Sequence, residues 1–297
     1  MNLLLDTAEK HSNGNELIKT TIVKELLHYD ILDALNKSDI SKELVFQGGT
    51  CLRLCYDAVR YSEDLDFCLK NKGYFSRELM NEFDRIFVQT IKRKYGLDAE
   101  VEYKEKGYGI KDDKSVSVEK WIARIFLKSK SIKQPKINIE VANVPSHDNE
   151  ISLVKNRYHA SAAPIPVQSE SLREIFSDKI IALAARCFFK ARDYWDIYYL
   201  KNMHIKPDIS LVKKKIDDYS VENFDEKLNT VISSLFNENY ELFTQNFKIE
   251  MKRFLTDEIY SYAKEQDFID SVFKAVQYSV ETMRFEEEQP HIIRRKR

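Results

Sequence analysis

The sequence predicts an α+β fold in its first part and an all-helical bundle in its second part. Apolar or alternating stretches that favour strands all precede Pro164 and Pro166, with helical periodicities between them. Beyond these prolines every recognisable pattern is helical. We therefore divide the chain into an α+β domain, 1–166, and a helical domain, 167–297, with a hinge near 163–168. The first helices of the second domain are expected to complete the functional site.

The composition is that of a folded protein that does not span a membrane. Hydrophobic residues make up 43% and charged residues 32% of the chain, which argues against disorder. No apolar run reaches the roughly 18 residues of a membrane span, and the first residues lack signal-peptide features. The four cysteines form no CxxC pair, so we expect a cytoplasmic protein without zinc or disulfide bonds. The net charge of −1 means that any affinity for nucleic acid must come from local patches.

A helix, a short strand and a glycine turn are predicted near the start of the chain. Residues 15–37 carry apolar side chains three and four positions apart, as an amphipathic helix does. The apolar run 44–46 stops at Gly48 and Gly49, and residues 50–57 look helical again. Only seven glycines occur in the chain, so two adjacent ones indicate a backbone requirement at this turn.

Strict alternation predicts a strand over residues 64–69. One face of this strand is apolar and the other carries two carboxylates, from Asp64 and Asp66. A helix is predicted at 76–94, followed by strands at 98–104, 120–128 and 135–142. The last of these turns Ile137, Ile139 and Val141 inward, with Asn138 and Glu140 on the opposite face.

Helical patterns fill the chain from Ser171 to about residue 285. Ser171 followed by Glu174 is typical of a helix start. The clearest apolar stripe lies on the helix predicted at 267–283.

The glycine turn and the two aspartates together predict a phosphate and metal site. A helix that begins directly after a strand and a glycine turn presents backbone N–H groups to an anion. Alternation places Asp64 and Asp66 on one face of a strand, about 7 Å apart. Two carboxylates at that spacing can bind Mg²⁺ or Mn²⁺ ions that hold nucleotide phosphates. Glu140, on the polar face of a later strand, is the natural third carboxylate.

Each motif alone has a simpler interpretation. An isolated Asp-x-Asp is usually solvated, and it also occurs in glycosyltransferases that hold a sugar nucleotide through a metal. An isolated Gly-Gly is usually a turn. The order of the two motifs, with a helix between them, makes the nucleotide interpretation much more specific.

Three blocks of the sequence resemble a known family. The first block contains Gly48-Gly49-Thr50, Leu52-Arg53-Leu54, Tyr56, Arg60 and Ser62-Glu63-Asp64-Leu65-Asp66-Phe67. The second runs from Leu172 to Leu183, and the third is Arg192-Asp193-Tyr194-Trp195-Asp196-Ile197-Tyr198-Tyr199-Leu200. Together they resemble the AbiEii-type nucleotidyltransferases, the toxins of type IV toxin–antitoxin and abortive-infection systems, within the polymerase-beta-like superfamily. The resemblance covers roughly residues 15–200 and implies a mixed nucleotidyltransferase sheet followed by helices.

The resemblance also implies a role for individual residues. Gly48, Gly49 and Thr50 would hold the triphosphate, and Asp64 and Asp66 would bind the metal. Lys179 corresponds to a lysine that pairs with the phosphates, and Asp193 to a residue needed for activity.

Other interpretations of several positions stay open. Lys179 could simply extend from the edge of a core, since its helical neighbours are apolar. Asp193 could pair with Arg192 or Arg186, and a structural role is favoured for Asp196. Arg60 and Arg53 either neutralise phosphate or brace the acidic residues at 63 and 64.

The predicted reaction is a nucleotidyl transfer. An acceptor hydroxyl would attack the α-phosphate of an NTP and release pyrophosphate, with Glu140 helping to deprotonate the acceptor. By analogy with the family, the acceptor is RNA, such as the 3′ end of a tRNA, and a cognate antitoxin is a partner. Basic clusters at 213–215 and 294–297 are candidate RNA contacts. The rival interpretations are transfer to a protein or small molecule, and a non-catalytic interaction module that retains the fold.

Overall fold

The computed structural model describes residues 3–104, 116–127, 134–186, 188–237 and 239–288, with side chains in the last helix up to Met283. The strands are β1 (Leu44–Gln47), β2 (Leu65–Leu69), β3 (Asp98–Tyr103), β4 (Val118–Phe126), β5 (Lys136–Pro145), β6 (Asn149–Val154) and β7 (Ile165–Glu170). The helices that accompany them are α1 (Leu3–Ser12), α2 (Glu16–Asn36), α3 (Gly48–Cys55) and α4 (Leu79–Tyr95), with a short 3-10 helix at Asp39–Lys42. The remaining helices are α5 (Leu172–Ala185), α6 (Ala191–Asn202), α7 (Ile209–Asp218), α8 (Phe224–Ser234), α9 (Tyr240–Met251), α10 (Asp257–Ala263) and α11 (Gln266–Glu288).

The strands form one mixed sheet in the order β3-β4-β5-β2-β1-β7-β6. Two neighbouring pairs, β2 with β5 and β1 with β7, are parallel, and the other pairs are antiparallel. Strand β2, which contains Asp66 and directly follows Asp64, therefore lies inside the sheet between β5 and β1. A central strand is held by hydrogen bonds on both sides, which fixes the direction of its side chains.

One face of the sheet is apolar, as the alternation predicts. Ile137, Ile139 and Val141 of β5 are fully buried, whereas Asn138 and Glu140 on the other face are only partly buried. Helix α2 packs against β5 and β7, and α4 packs against β3 and α2. Helix α2 begins at Glu16 because the side chain of Asn15 accepts the backbone N–H groups of Leu17 and Ile18.

The predicted hinge at 163–168 is wrong. These residues lie largely in β7, which pairs with β6 in an antiparallel hairpin and with β1 in parallel. Pro166 is the second residue of that strand, and β7 meets β1 only around Ser169. A proline at the start of a strand costs little because few ladder bonds require its missing N–H.

The chain divides into two compact units. The sheet unit comprises residues 1–171, 218–220 and 251–260, and the helical unit comprises 172–217, 221–250 and 261–297. Inside the helical unit, α6 packs against α5 and α11, and α5 packs against α8. The stripe predicted on α11 is buried at Ile269, Val272, Phe273, Val276 and Val280.

Across the described ranges, no helix is long and apolar enough to cross a membrane.

Candidate active site

The glycine turn between β1 and α3 requires glycine at both positions, for different reasons. Gly48 has a φ of +78°, and a Cβ built there would lie 2.8 Å from Oδ2 of Asp66. A Cβ on Gly49 would lie 2.2 Å from Nη2 of Arg60. Another residue at Gly48 would be strained by the positive φ, and a side chain at either position would have to displace Asp66 or Arg60. The glycine pair therefore lets the start of α3 lie against Asp66 and Arg60.

Gly49→Ala is expected to destabilise the protein by about 1–3 kcal/mol, because a buried guanidinium must move to admit the methyl group. Thermal unfolding of the purified protein measures this change. Gly73→Ala is the matched control, since a Cβ at Gly73 meets no atom within 4 Å. Equal unfolding midpoints for the two variants would show that Arg60 is not held against the turn.

Thr50 connects helix α3 to the strand that carries the aspartates. Its buried hydroxyl donates a hydrogen bond to the backbone carbonyl of Asp64. The side chain of Thr50 thus positions Asp64, and any contact with a phosphate from this residue comes from its backbone. The first N–H groups of α3 have no partner within the helix, which suits them to bind an anion.

Asp64 and Asp66 lie on the same face of the sheet as Glu140. Asp66 is the register partner of Glu140 on the parallel neighbour β5. Nδ2 of Asn138 donates a hydrogen bond of 2.8 Å to Oδ1 of Asp64. Nζ of Lys120 on β4 lies 2.7 Å from Oε1 of Glu140. Three adjacent strands thus bring together three carboxylates, one amide and one ammonium group.

Asn138 and Lys120 lie in this cluster, although neither is predicted as a site residue from the sequence. Asn138 occupies the polar face two positions before Glu140, so alternation along β5 could have identified it. Lys120 lies next to Glu140 only because the register of β4 and β5 pairs these two residues. That register depends on long-range pairing and has no local signal.

The donor set at this edge fits a magnesium ion that is shared with a substrate. No three His, Cys, Asp or Glu side chains converge into a metal cage in the part of the chain that the structure describes. Mg²⁺ is usually held by one or two carboxylates, with water and substrate phosphates as the remaining ligands. Asp64 and Asp66 supply such a pair of partly buried carboxylates beside the glycine turn.

Arg60 and Arg53 differ in their surroundings. Arg60 is 2% exposed, and its Nη1 donates a 3.0 Å hydrogen bond to the carbonyl of Tyr61. Arg53 forms a buried ion pair with Glu25, with Nε lying 2.9 Å from Oε2, and also donates to the carbonyl of Val59. Arg53 therefore braces α3 against α2 and does not face a phosphate.

Glu63, which precedes Asp64, is held by several contacts. Its carboxylate lies 2.8 Å from Nζ of Lys24 and 3.2 Å from Nη2 of Arg253. Its carbonyl oxygen is 3.0 Å from Nε2 of His28. Burial lowers the pKa of His28 to about 4, so this imidazole is neutral at physiological pH and donates to the carbonyl. These contacts fix the backbone immediately before Asp64.

In the helical unit, Lys179 and Asp193 form a buried ion cluster. Nζ of Lys179 lies 2.9 Å from Oδ1 of Asp193 and 2.7 Å from Oδ2 of Asp196. Nε of Arg186 lies 2.9 Å from Oδ2 of Asp193. Burial alone would raise the pKa of Asp193, but the charges of Lys179, Arg186 and Lys190 outweigh it and hold that pKa well below its usual range. Asp193 is therefore a permanent carboxylate.

The expectation of a basic surface cluster at 213–215 is wrong for Lys215. Lys215 is completely buried, and its Nζ lies 2.7 Å from Oε1 of Glu174. Lys213 and Lys214 are exposed. Lys215 instead joins α7 to α5, because its position on α7 faces the helical core. The second cluster, 294–297, lies outside the described residues.

Comparison with protein families identifies the chain. The family model described as "Nucleotidyl transferase AbiEii toxin, Type IV TA system" matches residues 30–276. The chain belongs to this AbiEii family. It is thus a nucleotidyltransferase of a toxin family, which confirms the resemblance that the three sequence blocks carry. Among curated proteins, no relative matches the sequence.

Solved structures with low sequence identity share the AbiEii fold of this chain. A crystal structure from H. pylori, described as a candidate nucleotidyltransferase, aligns with a TM-score of 0.52 at 16% identity and covers 90% of this chain and 97% of that one. The nucleotidyltransferase toxin MenT4 from Mycobacterium tuberculosis H37Rv aligns with a TM-score of 0.51 at 14% identity, over 94% and 98% of the two chains. The predicted fold class, a mixed nucleotidyltransferase sheet followed by helices, is confirmed.

Proposed function

We propose that this AbiEii-family protein transfers a nucleotide from an NTP to RNA, with Mg²⁺ or Mn²⁺ bound by Asp64 and Asp66. The observation that carries the proposal is the closeness of Asp66 to the glycine turn, where a Cβ on Gly48 would lie 2.8 Å from the carboxylate. Metal bound by Asp66 would therefore lie next to the helix end that suits a phosphate. Such a metal would stabilise the charge that develops on the phosphate oxygens.

The remaining residues position this chemistry. The backbone at Gly48, Gly49 and Thr50 binds the triphosphate, and the buried charge of Arg60 next to Gly49 adds to the positive potential there. Asn138 fixes one oxygen of Asp64 by its hydrogen bond. An acceptor hydroxyl attacks the α-phosphate, its proton passes to Oε2 of Glu140, and pyrophosphate leaves. Lys120 holds Oε1 of the same carboxylate.

Lys179 and Asp193 are proposed to contribute to activity on the basis of the family motifs. Their ion cluster also has a purely structural explanation, because each neutralises the other in a buried position. The two explanations make different predictions for Lys179→Met.

Membership of a toxin family also supports a proposal about the biological role of the reaction. We propose that the reaction takes place in the cytoplasm, that it inhibits growth, and that a cognate antitoxin protein opposes it. The acceptor is proposed to be an RNA, with the 3′ end of a tRNA as the first candidate.

The experiment that tests the proposed reaction uses each labelled NTP in turn. Wild-type protein, Mg²⁺ or Mn²⁺ and total RNA are incubated, and the products are separated on a gel before and after ribonuclease or protease treatment. We expect label from one NTP in a band that ribonuclease removes, and no label when a chelator is present. A labelled band that only protease removes, or label confined to small molecules, would reject RNA as the acceptor. An absence of label in every fraction would reject transfer itself.

A further inference from the structure

The helical unit contains a cavity of about 900 Å³ with Asp193 in its wall, and the proposed function assigns no ligand to it. Residues of α5, α6, α8 and α9, and of the segments joining them, form its wall. The volume is at the upper end of the range, roughly 300–1,000 Å³, that is typical of ligand sites. The wall combines aromatic rings with amide, hydroxyl and basic side chains and the carboxylates of Asp193 and Glu226, a mixture that suits an amphipathic ligand.

Aromatic rings make up one part of this wall. Phe189 stacks on Phe243 with a centroid distance of 4.6 Å and an interplanar angle of 14°, and it also lies 4.5 Å from Tyr194. Phe188, beside them in sequence, is 63% exposed. An exposed phenylalanine in a cavity wall loses hydrophobic free energy unless something covers it. A flat aromatic ligand would cover it.

Lys190 supplies a positive charge next to these rings. The Lys190 side chain is half-buried, and among the residues that the structure describes none forms a direct hydrogen bond or ion pair with it. The carboxylate of Asp193 acts on Lys190 through its charge, but it is already paired with Lys179 and Arg186. Burial lowers the pKa of Lys190 to about 8, so the group is still mostly protonated at neutral pH. Arg186, in contrast, is paired with Asp193. Lys190 therefore remains as a partly desolvated charge that an anion would stabilise.

We propose that this cavity binds unpaired nucleotides of a nucleic-acid chain, with a base stacked on Phe188 and a phosphate at Lys190. Stacking on aromatic side chains together with basic residues that follow the backbone is how proteins hold single-stranded nucleic acid. Of the three cations in the wall, Arg186 is paired with Asp193 and Lys227 is exposed. Lys190 is therefore the one that is both half-buried and without a direct ion pair among the described residues, and its charge matches that of one phosphodiester. A triphosphate carries several charges and would require more cations or a metal. This inference rests on the proposed transfer to RNA, for which it supplies an acceptor site.

The test is direct binding of a fluorescently labelled single-stranded oligoribonucleotide of mixed sequence to the full-length protein, without NTP or metal. Phe188→Ala should weaken binding roughly fivefold to a hundredfold, the range for loss of one stacked base. Lys190→Met should also weaken binding, and the slope of log affinity against log salt should decrease by about 0.7, the value for one lost phosphate contact. Phe188→Ala should leave that slope unchanged.

Two variants in the same unit serve as matched controls. Phe236→Ala removes another exposed phenylalanine, and Lys264→Met removes an exposed lysine outside the candidate RNA contacts, and neither residue lines the cavity. Both controls should bind the oligonucleotide as the wild type does. Thermal unfolding of all four variants checks that each is folded, and Phe188→Ala alters an exposed side chain and should leave the fold unchanged.

The outcomes separate this inference from the proposed reaction. If Phe188→Ala and Lys190→Met bind as their controls do, the cavity is not the acceptor site, whether or not the wild type transfers nucleotides. Displacement of the oligonucleotide by metal-free NTP from the wild type, but not from Lys190→Met, would assign the cavity to the NTP and overturn the proposal. A wild type that transfers nucleotides but does not bind the oligonucleotide at low salt would also overturn it.

Discussion

Asp64→Asn and Asp66→Asn are each expected to reduce kcat/KM for nucleotide transfer by at least about a thousandfold. A lost transition-state donor costs about a hundredfold to a thousandfold, and a lost metal ligand also weakens the ion that holds the substrate. The fold should persist, because both side chains are only partly buried and asparagine has nearly the same shape. In Asp64→Asn the new amide oxygen can still accept the hydrogen bond from Asn138.

Two measurements distinguish lost chemistry from a damaged fold. Titration with Mn²⁺ should show weaker metal binding in both variants, and thermal unfolding should give midpoints close to that of the wild type. Asp39→Asn is the matched control, since Asp39 is an exposed aspartate of the sheet unit that pairs only locally, with Lys42. Wild-type turnover in either test variant, at an unchanged midpoint, would show that the metal is bound elsewhere.

Lys179→Met is expected to lower both stability and activity. Removing one partner of a buried ion pair typically costs about 3–5 kcal/mol, because the opposite charge stays buried without compensation. Here Asp193 keeps Arg186 as a partner, and the charge of Asp196 loses its contact with Lys179. If Lys179 also acts on phosphate, kcat/KM should fall by a further hundredfold to thousandfold or so at temperatures where the variant is folded.

Lys215→Met supplies the comparison that separates the two effects. Lys215 is also a buried lysine of the helical unit with a carboxylate partner, Glu174, and its complete burial excludes it from the RNA contacts expected at 213–215. Both variants should unfold at lower temperature than the wild type, but only Lys179→Met should lose turnover when both are assayed well below their midpoints. Similar turnover in the two folded variants would assign Lys179 a structural role alone.

The local parts of the fold were predictable from the sequence. The helix at 15–37, the glycine turn and the strand at 64–69 each depend on patterns within a few residues, and the structure has α2, the start of α3 and β2 there. The glycine pair was predicted to answer a backbone requirement, and the clashes at Gly48 and Gly49 give its physical cause.

The parts that depend on distant partners were not predictable. The β6–β7 hairpin was missed because Pro164 and Pro166 indicated a linker, and only the pairing with β1 makes that segment a strand. Lys120 reaches Glu140 through strand register, and Lys215 is buried because Glu174 lies on the facing helix. Lys190 belongs to no sequence motif, and its proposed role as a phosphate ligand follows from a cavity that four helices form together.

The sheet unit contains residues 251–260, although most of it is formed by residues 1–171. The N–H of Tyr61 donates a 2.8 Å hydrogen bond to the carbonyl of Phe254, and Arg253 pairs with Glu63. A ribosome synthesises the chain from its N-terminus, so Asp64 and Asp66 are made long before residues 251–260. Those later residues hold the loop that precedes Asp64, through the contacts to Tyr61 and Glu63. Until residues 251–260 have been synthesised, the nascent chain therefore carries Asp64 and Asp66 behind a loop that lacks these contacts. For a protein of a toxin family, this order of synthesis delays completion of the proposed active site until residues 251–260 exist.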